Sequence, residues 1–229
     1  MKTFPSKQQR RAMTLFEVLI VVAVLMLLVA LLLPNLALHN GRAHRVSCVN
    51  NLKQAGLAFR IWAGDNNDHF PMAVSITNYG TMELVSSGLV FPHFQVMSNE
   101  LNIPQILFCP EESNRTRTRA NTFDLTATMA GQVPFTGNSN VSYFVGVDAQ
   151  DAFPQNLLAG DDHFTIDGSA AKPGILNLFA TNSVRWVKPR HQGHGSIAFA
   201  DGSVQTFDDR QFSQAIAVTG LTTNRLAMP

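Results

Sequence analysis

Between Met13 and Leu33 the chain reads MTLFEVLIVVAVLMLLVALLL, and only Thr14 and Glu17 interrupt its apolar character. As a helix, residues 15–33 would be about 28 Å long, close to the roughly 30 Å hydrocarbon thickness of a bilayer. The run therefore predicts a membrane-spanning helix. Lys2, Lys7, Arg10 and Arg11 precede it with no acid among residues 1–12, which puts that end on the cytoplasmic side and everything after the run outside. A carboxylate inside such a helix costs about 2.5–3.5 kcal/mol, so Glu17 requires a partner that lipid does not supply. A cleaved secretory signal would place its small-residue cleavage site after the apolar core. Here the small residue, Ala12, comes first, directly after Arg10 and Arg11, and a cut there leaves the hydrophobic helix on the mature chain.

The 229 residues allow one such helix and one domain of ordinary size. Residues 1–12 carry four of the 17 bases and none of the 16 acids, so without them the balance is 13 to 16, a net of −3. No global charge argument for binding nucleic acid follows. Cys48 and Cys109 both lie in the exported part, where oxidation is permitted. A disulfide between them would close a loop of about 60 residues, worth on the order of 4 kcal/mol in the chain-entropy model. Two buried free thiols are the alternative.

Past Pro34, which is expected to kink the helix, Val46, Val49, Leu52, Gly56 and Phe59 recur at spacings of three and four, predicting an outer half that ends near 62–64 at Gly64. Residues 72–140 read as loop with short strands and a helix near 81–87. Within them Arg115, Arg117 and Arg119 alternate with threonines, so an extended chain would show three guanidiniums on one side or simply a solvated loop. Residues 141–147, 175–181 and 183–187 are rich in β-branched and aromatic residues, as strands are. In GSIAFADGSVQTF, 195–207, Asp201-Gly202 suits a two-residue type I′ turn that would set Phe199 opposite Val204 on one core-facing side. A short helix is expected over 209–218 and a loose tail after it.

These residues resemble a known family. The basic leader, Ala12, Met13, Glu17 four residues on and the apolar helix with Pro34 are similar to the class III leader of type IV pilins and type II secretion pseudopilins. The family's usual residue before the cut is glycine, and here it is alanine. The segment CVNNLKQ from Cys48 and the run Phe108-Cys109-Pro110 resemble a pseudopilin-like group abundant in planctomycetes and verrucomicrobia. That group also ends in a His, nine residues and Asp-Gly, matched by His191, Asp201 and Gly202.

The resemblance implies an α+β fold, with a long N-terminal, partly transmembrane helix packed against a C-terminal antiparallel β-sheet head of the pilin kind. It divides the chain into a prepilin leader (1–12), a transmembrane helix (13–34), the outer half of the long helix (35–63) and the head (64–229). It implies cleavage by a prepilin peptidase between Ala12 and Met13, N-methylation of Met13, an assembly role for Glu17, and a Cys48–Cys109 disulfide. The function expected is a structural subunit of a type II secretion pseudopilus or type IV pilus-like fibre. It would sit as a single-pass protein of a bacterial inner membrane, its head in the periplasm or exported. Its partners would be copies of itself or other pseudopilins and the inner-membrane platform of the machine. A membrane-anchored binding protein or adhesin is the rival. No GxSxG, Walker A, HExxH or dinucleotide fingerprint appears, and no enzyme is expected. His191 and Asp201, nine residues apart across a strand, would be roughly 20–30 Å apart and share no metal. Calcium, held by major pseudopilins, has candidate ligands in Asp148, Asp151, Asp161, Asp162 and Asp167, but their order is not that of an EF-hand. A solvated acidic loop is the expectation, with no cofactor assigned.

Overall fold

The computed structural model describes residues 14–188 and 190–229, with side chains at all of these except 31–42. The expected cut between Ala12 and Met13 lies outside the described residues, and the expected kink at Pro34 falls where side chains are not described. The chain divides into two compact units, residues 1–40 and 41–229, which are taken separately below.

Helix α1 runs Leu15–Asp65. In the first unit its start is closed by a capping box. The backbone N–H of Thr14 donates to Glu17 Oε2 at 2.8 Å, and the N–H of Glu17 donates to Thr14 Oγ1 at 3.3 Å. This is the Thr-x-x-Glu signature of a helix N-terminus. All described side chains from Leu15 to Ala30 are exposed.

The expected fold class is corrected on its membrane-spanning part. Among the described residues no helix is long and apolar enough to cross a membrane. Of the predicted 15–33 span, described side chains cover 15–30, about 24 Å of helix against roughly 30 Å of hydrocarbon.

In the second unit α1 ends at Asp65, past Gly64, where Asn67 (φ 55°) and Asp68 (φ 59°) take the left-handed conformation. Short 3-10 turns follow at Pro71–Ala73, Ile76–Asn78, Met82–Ser87 and Pro104–Leu107. Two short helices, α2 (Phe91–Gln95) and α3 (Ser98–Leu101), stand among them. The strands are β1 (Tyr143–Gly146), β2 (Leu157–Asp161), β3 (Phe164–Ile166), β4 (Ser169–Ala170), β5 (Gly174–Leu178), β6 (Val184–Trp186), β7 (Gly195–Phe199) and β8 (Val204–Phe207). Helix α4 (Asp209–Ala217) and strand β9 (Asn224–Met228) end the chain, α4 being capped by Asp208 and Gln211.

Among the described residues β5-β9-β1-β2-β7-β8 form a six-stranded antiparallel sheet, and β4-β3-β6 a smaller one. The large sheet is a middle layer. Tyr143, Val145, Ala159, Ala198, Ala200 and Ala227 face Cys48, Leu52, Ala55, Phe59 and Trp62 of α1. Phe144, Leu157, Ile197, Phe199, Leu226 and Met228 face Phe164, Trp186, Phe212 and Ile216 on the other side. Both faces of β1, β2 and β7 are therefore buried. The α1 side of the sheet is lined with alanines, and an added Cβ on Gly56 would lie 3.7 Å from Ala198 Cβ. Small residues let the helix lie close.

Two local expectations differ from the structure. The loose tail is instead β9, paired on both sides with β5 and β1. The hairpin loop has three residues, Ala200 to Gly202: Gly202 N–H donates to the Phe199 carbonyl and Phe199 N–H to the Ser203 carbonyl, with Gly202 at φ 82°. This is a type I turn closed by a left-handed glycine rather than a type I′ turn. Val204 pairs with Ala198, not Phe199, and packs on the α1 side while Ile197 and Phe199 face the other core. A slip of one residue turns a side chain to the opposite face.

Candidate functional site

Cys48 lies on the buried stripe of α1 with Leu52, Ala55 and Phe59, spaced four, three and four apart, so its thiol points into the core. Cys109 follows the 3-10 turn at Pro104–Leu107 and is equally buried. Their sulfurs are 2.6 Å apart. The two cysteines expected to pair are thus brought together.

His191 is placed against them by an unusual backbone. His191, Gln192 and Gly193 are consecutively left-handed (φ 53°, 56° and 80°) between β6 and β7. The turn drives the imidazole inward, 1% exposed. Nε2 is 3.3 Å from Cys109 Sγ and 3.8 Å from Asp161 Oδ1. Nδ1 is 2.9 Å from Glu111 Oε2, an ionic contact without hydrogen-bond alignment, while the His191 main-chain N–H donates to the same oxygen at 2.7 Å. Arg45 of α1 donates to the His191 carbonyl at 3.0 Å.

Beside this group lies a buried ionic network. Arg190 reaches Glu112 Oε2 at 2.9 Å, Asp162 Oδ1 at 2.9 Å and the Ser142 carbonyl at 3.0 Å. Arg117 reaches Glu112 at 2.8 Å. Asp161 accepts from Ser196 N–H at 2.8 Å. Unpaired, any of these charges would be costly at such depth, and the opposite charges compensate them. Burial lowers the Arg190 pKa, but Asp162, Asp161 and Glu112 outweigh it and hold the guanidinium charged. Burial likewise opposes ionisation of Glu112, and Arg190 and Arg117 outweigh it, leaving its pKa below the ordinary range.

For Cys109 the balance goes the other way. The hydrogen bond to Cys48 and burial push the Cys109 thiol far above its usual pKa, with His191 pulling against them. Burial pushes His191 down, and Cys109, Asp161 and Glu111 together outweigh it, so its pKa is raised.

Cys48, Cys109 and His191 are also the set, among the described residues, whose ligand atoms are close enough to share an ion. Two thiolates on one tetrahedral zinc, each about 2.3 Å from it, are about 3.8 Å apart. At 2.6 Å the sulfurs are well inside that separation, so the arrangement fits a sulfur–sulfur bond better than a shared ion.

The other sequence-predicted residues go elsewhere. Asp201 accepts from Ser203 N–H at 2.8 Å and shapes the hairpin turn. The five aspartates considered for calcium are dispersed. Asp148 pairs with Arg225, Asp151 with Arg60, Asp161 and Asp162 with Arg190, and Asp167 accepts from Asn182 and Ser183. Asp161 and Asp162 are buried partners rather than members of a solvated loop. The expected arginine ridge is also divided, since Arg117 turns into the network while Arg115 and Arg119 stay exposed. Glu111, Glu112 and Arg190 were not singled out by the sequence. The one available signal was an acid pair directly after Cys109-Pro110 and an arginine directly before His191.

No family model, no curated protein and no solved structure matches this chain.

Proposed function

We propose that the chain is a structural subunit of a pilin-like or pseudopilus-like fibre, cut between Ala12 and Met13, methylated on Met13 and assembled through the first part of α1. The observation that carries this reading is the exposure of every described side chain from Leu15 to Ala30. A helix apolar on all sides needs cover on all sides, and each Leu, Ile or Val side chain fully buried contributes about 1.5–3 kcal/mol. Staggered helices of neighbouring copies supply such cover. Glu17 then faces the new amine of Met13 on an adjacent copy, which compensates both charges and sets the axial step. Residues 64–229 are the head displayed by the fibre.

Intact mass and shearing test this. The mature chain is expected to lack residues 1–12, to carry one methyl group, and to be recovered in sheared fibres from an overproducing strain. An unprocessed N-terminus with no fibres would overturn the proposal.

A further inference from the structure

We propose that Cys109, His191 and Glu111 form a built-in proton relay that makes the Cys48–Cys109 disulfide, with Cys109 as attacking sulfur, His191 as its base and Glu111 as the carboxylate that anchors the His191 backbone and lies against the imidazole. The inference rests on the fibre-displayed head proposed above, since a head outside the cytoplasm meets oxidising conditions.

Three observations converge on it. The Cys109 Sγ–His191 Nε2 distance is 3.3 Å and the His191 Nδ1–Glu111 Oε2 distance 2.9 Å. Nucleophile, base and a carboxylate in ionic contact with that base therefore lie in sequence, and a thiol beside such a base is activated. The target is in reach, because Cys48 Sγ lies 2.6 Å from Cys109 Sγ and both cysteines are buried. Finally, the site has a need for a base. Burial and the Cys48 contact hold the Cys109 proton on, whereas the attacking species in disulfide exchange is the thiolate.

The chemistry uses an external disulfide carrier as oxidant. The carrier first forms a mixed disulfide on Cys48, releasing one carrier thiol, before the segment around Cys109 docks. Docking brings Cys109 up, and His191 Nε2 takes its proton. The thiolate attacks Cys48 Sγ, the Cys48–Cys109 bond forms, and the bond from Cys48 to the carrier sulfur breaks. The second carrier thiolate leaves and collects the proton from the imidazolium. The protein thiols lose two electrons and the carrier disulfide becomes two thiols. Asp161, 3.8 Å from Nε2, and Glu111 stabilise the transient imidazolium.

The test uses the full chain in detergent micelles, reduced, denatured and diluted into oxidised glutathione from pH 6 to 9. Samples are quenched with iodoacetamide and read by intact mass. His191→Asn is the main variant, because residue 191 has φ 53° and asparagine tolerates that conformation. At pH 7 it should resolve the mixed disulfide about tenfold or more slowly than the parent. Its rate should recover towards pH 9, where hydroxide takes over removal of the Cys109 proton. Glu111→Gln should fall between the two. A His191→Asn rate equal to the parent at every pH overturns the relay. So does a variant that stays reduced at pH 9, since the ring would then serve packing rather than proton transfer. Two alkylated thiols in the parent itself would remove the disulfide reading, a result distinct from failure of the relay alone.

Discussion

The guanidinium of Arg45 on α1 donates to the main-chain carbonyl of His191 at 3.0 Å. Fifteen residues later on the same helix, Arg60 donates to the carbonyl of Ala200 at 3.0 Å and pairs with Asp151 at 2.7 Å. Fifteen residues of helix rise about 22 Å, and residues 191–200 meet α1 at both ends of that stretch. One end of this segment meets α1 beside the cysteines, the other at the hairpin turn.

That geometry makes Gly202 sensitive for two reasons. Its φ is 82°, and an added Cβ would lie 2.9 Å from Arg60 Cδ. Gly202→Val should cost about 1–2 kcal/mol for the backbone alone, and Gly202→Asn less. Urea midpoints of the two variants against the parent check this. Equal midpoints would remove the left-handed turn.

The cysteines should behave as one unit. If they are bonded, Cys48→Ala, Cys109→Ala and the double variant each lose about the same 2–4 kcal/mol. Thermal unfolding without reductant measures the cycle. Additive losses would mean two independently packed thiols.

Acid should weaken the head through buried histidines. Burial holds His93 down to about 4, its Nδ1 within 2.7 Å of Thr81 Oγ1. Unfolded, the same ring binds a proton near 6.5. Stability is therefore lost as pH falls from 6.5 towards 4, on the order of 3 kcal/mol by the lower end. His163, also pushed down to about 4 by burial, adds to this. His191, whose pKa is raised, has the opposite sign and its contribution is lost as pH rises through its folded value. Denaturation at pH 7 and pH 4.5 should show His93→Gln losing less on acidification than the parent. An unchanged loss would place the acid sensitivity elsewhere.

Glu17 has a capping role within its own helix besides the assembly role proposed for it. Glu17→Gln keeps an acceptor for Thr14 N–H and removes the charge, whereas Glu17→Ala removes both. Fibre recovery should fall for both variants if the charge sets the axial step. Normal fibres from Glu17→Gln would leave only the cap.

Some of this was written locally in the chain. The apolar run, the buried stripe of α1, the strands near 143, 175, 184 and 195, and the α4 cap follow from periods and caps that neighbouring residues set between themselves. The pairing of Cys48 with Cys109 was one of two alternatives open to the sequence, and the resemblance favoured it.

What tertiary structure decided was everything that joins distant residues. Strand β9 carries no alternating pattern that distinguishes it from a tail, and it became a central strand because β5 and β1 left hydrogen-bonding edges on either side of it. The hairpin slipped by one residue from its expected register because Ala200 also bonds Asn156, its N–H donating to that carbonyl at 3.0 Å. Asp161, Asp162 and Arg117 looked like solvated charges because sequence shows a charge without its partner. Burial then selected the partners, since a buried ion persists only beside an opposite one. His191 is the clearest instance. Its position in the chain marked it, but only the left-handed turn at 191–193 and the docking of α1 placed its ring against the sulfurs.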